Sequence, residues 1–549
     1  MTLQLPLERF NYWLDRQPDA VWLRQPVNGV WHDYSWLQVD EQARRLASAL
    51  LALGCVPGER VALLAKNCAE WFISDLAIQH AGLVSVPLYP LYPLQAPEQI
   101  AYVLEHAGCK VILVGKLDEP EKLATGIAAH ITRIAMPYPT MPAEHQWQAL
   151  LAAHEPLFGG HLQRGEDLLS ILYTSGTTGQ PKGVMLSAHA MAFSAANATA
   201  ELNMTPQDQF FSYLPLSHAA ERFLVEFNSL YCGAPVAFVE SLETFASDLR
   251  QVRPTVFFSV PRLWTRFQQG VLEKLPAHKL ERLLRIPLLG RLVARKVRAG
   301  LGLDRARVLV SGAAAISTGL LEWYQRLGMT ICEGYGMTEH FAYGCFNRPG
   351  QVRFGTVGRP MPHLEVRIDA SGEILLRSET LMQGYYREPE KTAQTLKDGW
   401  LHTGDRGQLD DAGYLRITGR VKDIFKTSKG KYVAPAPIEG EIAKSHWVEQ
   451  VCLMGSNLDQ PLALIELSPV ARQQPRELLT QSLAEHLCAL NQRLAAHERV
   501  SHFYLVSAAW TVDNGSMTPT MKIRRNVLEM RYAEVIASLP GEQAIVWED

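Results

Sequence analysis

Short apolar runs alternate with segments of helical periodicity along most of this chain, and that alternation limits the possible folds more than any other feature. Ser35 is placed to cap a helix running to Leu53. Ala43, Leu46, Ala47, Leu50 and Leu51 form its apolar stripe, and Gly54 ends it. Residues 61–64 read as a buried strand, 68–81 as a helix, 84–86 as a strand, 96–107 as a helix stopped by Gly108, and 110–114 as a strand. The rhythm returns with helix 188–200, strand 210–213, helix 217–231, strand 235–239 and strand 255–259, which runs into the helix-starting Pro261. Strands at 307–311 and 329–333 bracket a helix near 317–327. The expected class is α/β, with mostly parallel sheets covered by helices on both faces. From residue 350 the texture changes to short β segments with turns at 369–372, 388–390 and 410–413, which predicts a β-rich subdomain.

A chain of 549 residues suggests several domains, or one large domain with an appendage. A formal net charge of −3 argues against nucleic-acid binding by bulk electrostatics. The eight cysteines (55, 68, 109, 232, 332, 345, 452 and 488) form no C-x-x-C pair, so no zinc or redox signature is present and a reducing compartment is expected. The start, MTLQLPLERF, lacks the basic and long apolar regions of a signal peptide. No apolar run is long enough to span a bilayer, and the candidate at 83–94 is broken by Pro87, Pro90 and Pro93. The expected location is the cytoplasm. Residues 271–307 are rich in lysine and arginine interleaved with Leu280, Leu283, Leu284, Ile286, Leu288, Leu289 and Leu292. Such a basic amphipathic stretch suits either an anionic membrane surface or an ordinary solvated helix face.

The chemistry concentrates first between Tyr173 and Val184, YTSGTTGQPKGV, which follows an apolar run at 168–172. Thr174, Ser175, Thr177 and Thr178 supply hydroxyls, Gly176, Gly179 and Gly183 permit tight turns, and Lys182 adds a positive charge. Backbone N–H groups and hydroxyls in such a loop can point at phosphate oxygens. The spacing differs from that of the Walker loop. The pattern closely resembles the signature of the adenylate-forming ligase superfamily, which includes acyl-CoA synthetases, peptide-synthetase adenylation domains and luciferases.

Other segments extend the resemblance. In EGYGMTE, comprising Glu333, Gly334, Tyr335, Gly336, Met337, Thr338 and Glu339, it implies that Tyr335 stacks on adenine, Thr338 contacts phosphate and Glu339 helps bind Mg²⁺. Ser311, Gly312, Ala313, Ala314 and Ala315 resemble the segment whose backbone lies along the adenine. Asp405 resembles the ribose-binding aspartate, and Arg420 the arginine that contacts ribose and phosphate. Lys422 falls at the family hinge. The implied domains are 1–418, binding AMP and the acyl group, a hinge at 419–423, and a small mobile α+β domain at 424–549. In TPTMKIRR, Lys522 falls at the catalytic lysine, which would stabilise charge between an attacking carboxylate and the α-phosphate. Gly430 and Lys431 resemble the segment that faces the site in the thioester-forming pose, and His218 in LPLSHAAER would lie near the carboxylate. TPTMKIRR and FKTSKGKYVAPAPIE, residues 425–439 around Gly430 and Lys431, look most like long-chain fatty acyl-CoA synthetases, which use ATP, Mg²⁺ and CoA, and LPLSHAAER also matches that branch. The alternatives are a ligase for an acyl carrier protein, an enzyme that stops at acyl-AMP, an aryl or short-chain acid ligase, and a silent nucleotide or lipid binder.

Overall fold

The computed structural model describes residues 3–90, 96–174, 180–512, 514–518, 522–538 and 543–548. It divides into two compact units: Met1–Ile316, Leu320–Glu365 and Leu376–Leu401 form one, and Ser317–Gly319, Val366–Leu375 and His402–Asp549 form the other.

The first unit realises the expected α/β class. Its largest sheet has eight strands, in the order Gly384–Tyr385, Lys182–Ser187, Leu168–Thr174, Val84–Pro87, Arg60–Leu64, Val111–Val114, Thr132–Ala135 and His145–Gln146. The run from Leu168–Thr174 to His145–Gln146 is parallel, and Lys182–Ser187 returns antiparallel to Leu168–Thr174. Strands such as Val111–Val114 are wholly buried, which is why they read as continuous apolar runs. Ser35 caps the helix Trp36–Ala52 by accepting from the Gln38 N–H, and Gly108 ends Pro97–Ala107 in the left-handed conformation.

A second, five-stranded sheet runs Val256–Ser259, Val308–Ser311, Ile331–Tyr335, Cys345–Phe346 and Arg359–Pro360, with the first three parallel. Its C-terminal edge places Ser259, Ser311 and Glu333 side by side. Phe257, Leu309, Ile331, Trp264 and Tyr324 form the core beneath it.

Three local expectations change. The helix expected over 217–231 is a short α segment Ala219–Glu221, a π-helical stretch Arg222–Phe227, and α again at Asn228–Cys232. The basic region is split among the helices Pro261–Lys274, Ala277–Leu284 and Leu289–Leu301. Glu388–Glu390 is a helix start, because Pro389 occupies the first turn of Pro389–Thr395.

The second unit contains a four-stranded sheet, Val448–Met454, Leu462–Leu467, Phe503–Val506 and Ile545–Trp547. The helix Arg476–Asn491 contributes Leu479, Leu483, Leu487 and Leu490 to its core at helical spacing. Among the described residues no helix is long and apolar enough to cross a membrane.

Candidate active site

In the first unit the glycine-rich loop joins two antiparallel strands whose pairing continues to Thr174 opposite Lys182. The five candidates Ser175, Gly176, Thr177, Thr178 and Gly179 lie outside the described residues. Gly183 is required by packing, since a β-carbon there would lie 2.7 Å from Ile171 and 3.1 Å from the Tyr173 ring. The Tyr173 hydroxyl is 2.7 Å from His106 Nδ1, which anchors the strand just before the loop.

The Lys182 ammonium lies 4.7 Å from the centroid of the Tyr385 ring. The Tyr385 hydroxyl in turn donates to Glu339 Oε1 at 2.8 Å. Three segments far apart in sequence thereby meet at one aromatic ring: the loop cation, the carboxylate of EGYGMTE, and a short strand, Gly384–Tyr385, paired with Val184 and Met185. Sequence reasoning missed Tyr385. Its only local signal is an aromatic pair after Gly384, which does not reveal a partner 46 residues away.

Glu333, Gly334 and Tyr335 end the strand Ile331–Tyr335. Thr338 and Glu339 lie in the short turn Thr338–His340, and Phe341 and Ala342 after it both take positive φ, 51° and 58°. Gly312 packs against the neighbouring strand, because a β-carbon on it would lie 3.2 Å from the Gly334 carbonyl oxygen. Ala313 is held at φ 66°. The two segments expected along a purine are thus adjacent at the C-terminal edge of a parallel sheet, where ligands of open α/β folds bind. Among the described residues, Ser311 Oγ and Glu333 Oε2 are buried with no hydrogen-bond partner. Burial pushes the Glu333 carboxyl up to about 8. Orphaned polar atoms beside small residues and a strained backbone fit a polar ligand pressed against this edge.

No group of three or more metal-ligating side chains exists among the described residues. Glu339 is a single buried carboxylate. That donor set suits Mg²⁺, which retains waters and substrate phosphate oxygens around one or two carboxylates.

His218 caps the segment Ala219–Glu221, its Nδ1 accepting from the Ala220 N–H at 3.2 Å. Glu221 and Arg222 do not pair with each other. Glu221 accepts from the Ser212 hydroxyl at 2.8 Å and the Tyr213 N–H at 3.1 Å. Arg222, fully buried, pairs with Asp75 at 2.6 Å and Glu226 at 2.7 Å, and donates to Ser170 at 2.9 Å. It therefore ties the residues after His218 to the strand that feeds the glycine-rich loop.

The second unit holds the remaining candidates. Asp405 lies opposite Arg420 on paired strands, and Arg420 Nε is 3.2 Å from Asp405 Oδ1. Gly404 takes φ 71°, and its N–H donates to Glu373 at 2.8 Å. Lys422 is exposed just beyond. Gly430 takes φ 74° in the turn of the hairpin Phe425–Lys426 and Tyr432–Val433, with Lys431 exposed beside it. Lys522 is exposed in a loop closed by Thr518 N–H to the Lys522 carbonyl at 2.8 Å and by the pairing of Met517 with Ile523. Arg525 pairs with Glu439 at 2.7 Å, so the two segments with the long-chain pattern are fastened together.

A family model described as AMP-binding enzyme matches residues 10–386, and a second, AMP-binding enzyme C-terminal domain, matches residues 422–542. The chain is 28% identical to the Long-chain-fatty-acid--CoA ligase FadD15 of Mycobacterium bovis, over 96% of this chain and 95% of the relative. It is 31% identical to Long-chain-fatty-acid--CoA ligase 1 of Homo sapiens, over 92% of this chain and 82% of the relative. The crystal structure of the anthranilate CoA ligase AuaEII in complex with anthranoyl-AMP superposes with a TM-score of 0.81 at 24% identity, covering 98% and 99% of the two chains, and shows the shared fold.

Proposed function

The chain belongs to the AMP-binding enzyme family, and on that premise we propose that it is an ATP-dependent long-chain fatty acid–CoA ligase working through an acyl-adenylate. The observation that carries this reading is its likeness, along nearly the whole chain, to long-chain-fatty-acid–CoA ligases.

In the proposed first step a carboxylate oxygen attacks the α-phosphorus of ATP. The bond from that phosphorus to the bridging oxygen breaks, and pyrophosphate leaves. Thr174 to Gly179, with Lys182, hold the phosphates. The purine lies along Gly312, Ala313 and Ala314 beside Glu333, Gly334, Tyr335 and Gly336, with Tyr335 stacked on it, and Thr338 contacts phosphate. Asp405 and Arg420 take the ribose. Mg²⁺, when bound, neutralises phosphate charge, and Glu339 is the residue proposed to hold it. Lys522 places a cation between two like-charged reactants, the kind of preorganised electrostatic term that dominates many rate enhancements. His218 lies near the carboxylate.

In the second step residues 424–549 turn about the hinge at 419–423, and Gly430 and Lys431 face the site. The CoA thiol attacks the acyl carbon and loses its proton, the acyl carbon–oxygen bond breaks, and AMP leaves. The proposed place of action is the cytoplasm, with peripheral contact to a membrane through residues 271–307.

The test is to incubate the protein with ATP, Mg²⁺ and carboxylic acids of graded chain length, following pyrophosphate, and then to add CoA and follow AMP. Long-chain acids should release pyrophosphate, and CoA should release AMP. No pyrophosphate with any acid would overturn the reading. Pyrophosphate without a CoA thioester would favour an acyl carrier protein as acceptor, or an enzyme that stops at acyl-AMP.

A further inference from the structure

The helices Ala277–Leu284 and Leu289–Leu301 join through a tight turn. Their inner faces are conventional: Leu280 and Ala294 are buried, and Leu284, Val293, Val297 and Leu301 pack on the same core. The turn is not conventional. Ile286 is 44% exposed, Leu288 72%, Leu289 39% and Leu292 63%. Single exposed leucines are ordinary, but four large apolar side chains clustered at one turn suggest an interaction surface. Leu288 caps the second helix, and the Leu292 N–H donates to its carbonyl at 3.1 Å, so both belong to the same helix start.

The backbone holds them out under strain. Leu288 has φ 67° and ψ −52°, and the Leu289 N–H donates to the Pro287 carbonyl at 2.8 Å. This is a γ-turn of the unfavourable hand, which a bulky side chain rarely tolerates. Packing enforces it: Gly290 lies so close to the preceding helix that a β-carbon would sit 2.5 Å from the Leu284 carbonyl oxygen. A strained residue that presents an apolar side chain to solvent points to a role at that spot. Around it stand Lys279, Arg282, Arg285, Arg291, Arg295 and Lys296, all exposed, while Glu281 is engaged with Arg326 at 3.3 Å.

We propose that this turn docks on an anionic lipid bilayer, with Ile286, Leu288, Leu289 and Leu292 entering the boundary between headgroups and acyl chains while the surrounding cations meet lipid phosphates. A soluble polyanion would use the cations but gain nothing from the leucines. This deepens the membrane contact named above and holds whether or not the ligase reading does.

The test is co-sedimentation of the full chain with vesicles of phosphatidylcholine alone or mixed with phosphatidylglycerol. Binding should require the anionic lipid and weaken with salt. The triple variant Arg282→Gln, Arg291→Gln, Arg295→Gln should lower partitioning on the order of a hundredfold, since each cation near the surface is worth about fivefold. Leu288→Ser with Leu292→Ser should lower it about tenfold or more, with the thermal midpoint unchanged. Absence of binding to the mixed vesicles, or a leucine variant that binds as well as the wild type and is displaced equally well by soluble RNA, would overturn the proposal. Pyrophosphate release from a long-chain acid carried on albumin, with no vesicles present, should be the same in all variants. Its absence in the wild type with every acid offered would count against the ligase reading alone.

Discussion

Lys522, the proposed catalytic cation, and Glu333, a buried carboxyl, each predict a different measurement. Lys522 is exposed on a loop closed by its own backbone, so Lys522→Ala removes a cation and little packing. Carboxylate-dependent pyrophosphate release should slow on the order of 10²–10³-fold while calorimetry shows ATP binding retained; an unchanged rate would remove the residue from its role. Glu333 predicts a pH effect. Burial raises its carboxyl from 4.5 to about 8, so the folded protein keeps a proton that the unfolded chain has already lost. Between those values the folded state binds more protons, and stability falls as pH rises through the window, then levels above it. Glu333→Gln should flatten that fall by an amount on the order of a few kcal/mol, read as thermal midpoints at acidic and alkaline pH; parallel profiles would contradict it. Both residues were legible in the sequence because they sit in contiguous motifs. Tyr385 was not, because its meaning lies in contacts with Glu339 and Lys182, and one-dimensional spacing cannot show which distant strand pairs beside Lys182–Ser187.

At the scale of elements, the strands and helices that follow a single period emerged close to where the sequence put them. Trp36–Ala52 and Val111–Val114 carry their own signals, an N-cap with an apolar stripe and a continuous buried run. The π-helical stretch Arg222–Phe227 has no such signal, since its apolar spacing still reads as helix. What distinguishes it is tertiary: Arg222 is fixed by Asp75 and Ser170 from other parts of the chain, besides its pair with Glu226 within the stretch. Arg222→Met should therefore leave buried carboxylates uncompensated and cost about 3–5 kcal/mol in denaturant unfolding. A loss under about 1 kcal/mol would show that the network is dispensable. The basic region is divided into separate helices for a local reason, because Pro276 and Pro287 interrupt the periodic stretch.

At the scale of the molecule, the α/β class was legible because alternating periods dictate layers of helix on parallel sheet. How the two units work together was not, because no local periodicity encodes it. The proposed hinge gives a sharp prediction. Lys422→Pro fixes one backbone torsion at an exposed position. Pyrophosphate release should persist, while thioester formation falls on the order of 10²-fold, the cost of misplacing reacting groups by about an ångström. Equal retention of both steps would exclude a hinge there. The central claim is that the carboxylate itself attacks the α-phosphorus, and oxygen tracing tests it most directly. A fatty acid labelled with ¹⁸O in both carboxylate oxygens, supplied with ATP, Mg²⁺ and CoA, should yield AMP carrying one labelled oxygen and a thioester carrying the other. AMP free of label, with the heavy oxygen found instead in inorganic phosphate or pyrophosphate, would contradict the account.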